Sequence, residues 1–109
     1  MKSIHLINSK EDLVRGTIIR CKGNYPYEDY VDFMVVEQQE YYSLLVISGY
    51  KAGLTFVQLP LESIPKNNEG FAIDIEWLKT NWSKWGYYEC PVGEVRIIHR
   101  DSPNGFDDN

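Results

Sequence analysis

The sequence predicts an α+β domain that is mostly β: an antiparallel meander sheet of about five strands curled over one main helix at about 75–85, with an open barrel as a variant. Two observations carry this. Short β-rich apolar segments follow one another, separated by Gly, Pro, Asn and Gln turns. Only one segment repeats its apolar residues at a helical spacing.

The elements follow in order. Ser9 stands before Lys10-Glu11-Asp12 and Leu13, a pattern that caps a short helical turn ending at Gly16. Thr17 to Lys22 alternates as a strand, with Thr17, Ile19 and Cys21 on one side and Ile18, Arg20 and Lys22 on the other. Gly23-Asn24 breaks it. Val31 to Glu37 is the next strand and is apolar on both faces from Phe33 to Val36, which places it centrally in the sheet. Gln38-Gln39 turns the chain into a hairpin with Tyr41 to Ser48. A loop from Gly49 to Gly53 leads to Leu54 to Leu59, which Pro60 stops. Asp74 caps the helix, Glu76 suits its first turn, and Ile75, Leu78, Trp82 and Trp85 share one face before Gly86 ends it. Glu94 to His99 forms the last strand. Residues 1–100 read as a single domain, and 101–109, rich in Asp with Pro and Gly, as a flexible acidic tail.

Composition narrows the function classes. A chain of 109 residues is one domain and buries enough surface for a core without metal or disulfide support. The net charge of -5 argues against nucleic acid and against an anionic membrane, since both need clustered Lys and Arg. It suits a basic partner. The first residues lack the apolar core of a signal peptide, and no apolar run is long enough to span a bilayer, so the expected location is the cytoplasm. Cys21 and Cys90 carry no spacing motif and read as reduced, partly buried thiols.

An enzyme needs a convergent set of reactive groups. His5 and His99 stand alone, with no C-x-x-C or H-x-x-x-H pair for a metal and no phosphate-binding glycine loop. The expectation is no catalytic residue, no metal and no cofactor. A Cys90–His99 dyad is compatible with the spacing, but nothing marks Cys90 as activated. Trp82 and Trp85 lie on the apolar stripe and read as core. Trp77 lies off it, at its edge or partly exposed, and is a weaker candidate for a partner contact.

One stretch stands out. No Lys or Arg occurs between Lys22 and Lys51, while Glu28, Asp29, Asp32, Glu37 and Glu40 give it a charge of -5, equal to that of the whole chain. Six of the eight tyrosines fall there too: Tyr25, Tyr27, Tyr30, Tyr41, Tyr42 and Tyr50. Tyr offers apolar area at low entropic cost, and carboxylates steer and pair with Lys or Arg. The stretch reads either as a partner-binding face made of Tyr25, Tyr27, Glu28, Asp29, Tyr30, Asp32, Glu37, Glu40 and Tyr50, or as a soluble hairpin with acidic turns.

Several segments also resemble, in order, immunity protein family 45 of bacterial polymorphic toxin systems. They are Arg15-Gly16-Thr17, Tyr25-Pro26, Ser48-Gly49-Tyr50-Lys51-Ala52-Gly53, Leu59-Pro60-Leu61-Glu62-Ser63-Ile64, the helix Ile75-Glu76-Trp77-Leu78-Lys79-Thr80-Asn81-Trp82, and Cys90-Pro91-Val92. The similarity runs from about Leu13 to Ile98. It implies a cytoplasmic, β-rich protein that binds a cognate toxin and blocks it sterically, with no catalytic residues to carry over. If that toxin is a nuclease, its cleft is basic, and the acidic tyrosine-rich stretch is its counterpart. The rival expectations are another interaction module, such as an adaptor or a secretion chaperone, and a small enzyme using Cys90 or a carboxylate.

Overall fold

The computed structural model describes residues 3–23, 29–65, 72–87 and 89–99. Among them are six strands: β1 (Ile4–His5), β2 (Ile18–Lys22), β3 (Tyr30–Gln38), β4 (Tyr41–Val46), β5 (Thr55–Gln58) and β6 (Arg96–Ile98). They form one antiparallel sheet in the order β1-β6-β2-β3-β4-β5, open at both edges. The helix α1 (Ile75–Trp85) lies where the periodicity put it. The sheet is therefore mostly β with one helix, as expected, and does not close into a barrel.

β3 is central, as its two-sided apolar run predicts, with β2 and β4 on either side. Its inward residues Val31, Phe33 and Val35 join Ile19 and Cys21 of β2, Tyr42, Leu44 and Val46 of β4, and Val95 and Ile97. Ile75, Leu78 and Trp82 of α1 close that core from above. A register shift in the β4–β5 pair leaves Phe56 as an extra residue. Its ring packs on Phe33 and Tyr87, at 5.1 and 5.9 Å.

The expected helical turn after Ser9 does not form. Leu13 instead bridges Ile73 in an antiparallel contact, with both of its backbone groups bonded there. Asp12 accepts a hydrogen bond from the backbone N–H of Ile75 at 3.0 Å, and Asp74 accepts from Glu76 and Trp77 at 2.9 and 3.1 Å. The first turn of α1 thus has its orphan donors satisfied by two carboxylates, one of them 63 residues away. A long-range contact outweighs a local cap here, because a short turn alone is marginal in water. Two strands also differ from expectation. β1 is too short to show periodicity, and Val92–Glu94, just before β6 and partly expected as strand, is a 3-10 turn.

Gly86 ends α1 for a different reason from the usual one. Its φ of -88° needs no glycine. Its Cα instead lies against the Trp82 indole, where a Cβ would overlap three ring carbons.

Candidate interaction surface

Strand alternation divides the sheet into a face under α1 and an outer face. Cys21 and Ile19 point inward, so Ile18, Arg20 and Lys22 point outward. On β3 the outward set is Tyr30, Asp32, Met34 and Val36. Register then places side chains in rows across the strands. Ile18 stands opposite Ile98 on one side and Met34 on the other, and Met34 stands opposite Leu45. Four apolar side chains thus line up across β6, β2, β3 and β4. Ile18, Met34 and Leu45 keep part of their surface exposed, and Ile98 is nearly buried.

A polar row runs alongside. Arg20 stands opposite Arg96 and Asp32, and His5 stands opposite Arg96. Arg20 donates two bonds of 2.9 Å each to the two oxygens of Asp32. This fork fixes the guanidinium, raises its pKa by hydrogen bonding, and leaves the Asp32 side chain only 14% exposed. Arg20 also lies over the Tyr30 ring at 4.9 Å. Arg96 donates to the Ser3 hydroxyl at 2.9 Å and meets His5 Nε2 at 3.3 Å. At this end of the sheet an open cleft of about 470 Å³ is lined by Arg20, Cys21, Lys22, Asp29, Tyr30, Glu94 and Arg96.

The sequence-predicted face is split by the fold. Tyr25, Tyr27 and Glu28 lie outside the described residues. Asp29 and Tyr30 sit at the start of β3, with Tyr30 56% exposed. Asp32 is beside them but committed to Arg20. Its backbone N–H donates to Ser48 at 2.9 Å and its carbonyl accepts from Ile47. Those two bonds bring the Gly49–Gly53 turn, with the 83% exposed Tyr50, to the same end. Glu37 and Glu40 lie at the opposite end, roughly 17 Å from Asp32 to Glu37 at about 3.3 Å per residue. Glu37 pairs with Arg15 at 3.2 Å, and Tyr42 is buried. Burial, and next the Glu37 charge, push the Tyr42 phenol up. Asp29, Tyr30 and Tyr50 therefore share one end, and Glu37 and Glu40 do not.

Cys90 and His99 have different partners. Cys90 and Cys21 are both free, both buried, and face each other. His99 instead meets the Ser9 hydroxyl, at 3.4 Å. Among the described residues, no group of three or more His, Cys, Asp or Glu could hold a metal ion. Trp77 donates its indole N–H to Glu62 at 3.2 Å, and its ring lies tilted against that of Trp85, 6.4 Å between centroids. No helix among the described residues is long and apolar enough to cross a membrane.

The residues that composition did not single out are Ile18, Met34, Leu45 and Ile98. Their signal was present in β3, where Met34 and Val36 make the strand apolar on its second face. Among the described residues, no second layer covers that face of the sheet.

The outer face of this mostly β sheet thus carries an apolar centre bordered by Tyr, Arg and paired charges. The chain belongs to the immunity protein 45 family, whose family model matches residues 6–97. That description makes it an immunity protein, one directed against a toxin. No curated protein and no solved structure matches the chain.

Proposed function

We propose that the chain neutralises its cognate toxin by occupying it, without turning over a substrate, and that the outer face of the sheet is the docking surface. Ile18, Met34 and Leu45 form the desolvated centre. Asp29, Tyr30 and Tyr50 form the rim at one end, and the Arg20–Asp32 fork holds the border between them rigid. The observation that supports this most is the apolar row across four strands on the face that α1 does not cover.

The partner is a toxin domain with a basic cleft. The chain's net charge of -5 is complementary to such a cleft, and Asp29 is exposed and in no ion pair among the described residues. A nuclease has a cleft of this kind because it must hold phosphates. The acidic end of the sheet then stands where a nucleic-acid backbone would lie. Binding takes place in the cytoplasm, with no cofactor, no nucleic acid and no membrane involved.

Co-expression with the toxin encoded beside this chain tests the proposal, read as growth rescue and co-purification. Met34→Glu and Tyr30→Ala each weaken binding by about 2 kcal/mol, roughly thirtyfold, while the variants keep their cooperative unfolding. Asp29→Lys slows association and flattens its dependence on salt. Folded variants that protect as well as the wild type would remove the outer face as the docking surface.

A further inference from the structure

Among the described residues, β5 is an open edge of the sheet without a charged side chain, and it points to a different partner. β5 ends the sheet on the side away from β1. Among the described residues its backbone bonds run only to β4. Leu59 donates its N–H to Tyr42 at 2.8 Å across that pair. In an antiparallel ladder the next residue back, Gln58, then turns its own N–H and C=O away from β4, to the outside. Thr55 and Gln58 are exposed, and Leu54 and Leu61, 59% and 56% exposed, flank the strand.

Charge decides what fits there. No charged residue occurs between Lys51 and Glu62, although the chain as a whole carries -5. Edges that avoid pairing carry Lys or other charges. This one carries no charge, and its shortness, its bulge at Phe56 and the following Pro60 limit pairing there to a few residues. Two copies of an anionic chain repel each other through their acidic stretches, and at the β5 edge they can meet without bringing like charges together. An antiparallel pair of identical strands about a two-fold axis also satisfies both edges at once.

We propose that β5 is a self-association edge: two copies pair β5 to β5, antiparallel, with Leu54 and its symmetry mate packing at the ends. The sheet then runs on through both chains. Because the edge lies in the plane of the sheet, both outer faces stay free. The surface is small, so the dimer is weak, in the micromolar range, and concentration-dependent.

Sedimentation equilibrium of the purified full chain, from low to several hundred micromolar, tests this. The expected result is a monomer–dimer equilibrium. Gln58→Lys puts like charges face to face, and Gln58→Pro removes an outward N–H that β4 does not use. Each raises the dissociation constant tenfold or more, with circular dichroism and melting temperature close to those of the wild type. Leu54→Ser does so more mildly and guards against a backbone effect of proline. A wild-type chain that stays monomeric throughout overturns the proposal. So does a dimer that survives Gln58→Lys and Leu54→Ser, because its interface is then elsewhere. Toxin protection is unaffected in all three variants, so this test and the docking test fail separately.

Discussion

Replacing Gly86 with Ala perturbs a single contact whose geometry is known. A Cβ there overlaps three carbons of the Trp82 indole. The ring cannot yield. It is 2% exposed, and its Nε1–H donates to the Cys90 carbonyl at 2.7 Å. The end of α1 must therefore lift from the core, as in other overpacked sites, where the cost is about 1–3 kcal/mol. With the ring pinned, the upper end applies, and about 3 kcal/mol lowers Tm by roughly 10–15 °C in a domain of this size. Two other glycines serve as controls. Gly93 has open space around the added carbon, so Gly93→Ala changes stability by less than about 0.5 kcal/mol. Gly53 also has open space but a φ of 100°, so Gly53→Ala costs about 1–2 kcal/mol through the backbone alone. Urea and thermal unfolding followed by tryptophan fluorescence measure all three. If Gly86→Ala costs no more than Gly93→Ala, the close approach to Trp82 is not why residue 86 is glycine.

Other outcomes follow from particular groups. The Thr17 hydroxyl is buried without a hydrogen-bond partner among the described residues, so Thr17→Val is neutral or stabilises by about 1 kcal/mol in urea unfolding. Asp12→Ala and Asp74→Ala each remove acceptors from the start of α1 and each cost about 1 kcal/mol, although only Asp74 is local to the helix. Burial, followed by the neighbouring Cys90, pushes the Cys21 thiol up. The unfolded chain then releases that proton at about 8.5 while the folded chain holds it. Above that pH the native state binds more protons than the unfolded state, so stability falls as pH rises, by up to about 1.4 kcal/mol per unit. Urea midpoints measured in wild type and Cys21→Ala from neutral pH to about 9.5, below the range in which the Tyr42 phenol adds a slope of its own, fall more steeply in the wild type.

The sequence by itself determined the helix from Ile75 to Trp85, the hairpin between β3 and β4, and the central place of β3. Each rests on a period or a turn that a few neighbouring residues express. It also determined the net charge of -5, because charge is additive along the chain. The tertiary structure alone decided which of the acidic and tyrosine residues lie together. A nine-residue strand carries Asp29 and Tyr30 to one end and Glu37 to the other, while Ser48 and Ile47 bring Tyr50 back to the first. It decided that Asp32 is held by Arg20, that Asp12 serves a helix far along the chain, and that Ile18, Met34, Leu45 and Ile98 form one row. The physical reason is the same in each case. Cross-strand register and long-range caps join residues distant in sequence, and no local pattern encodes which strands become neighbours.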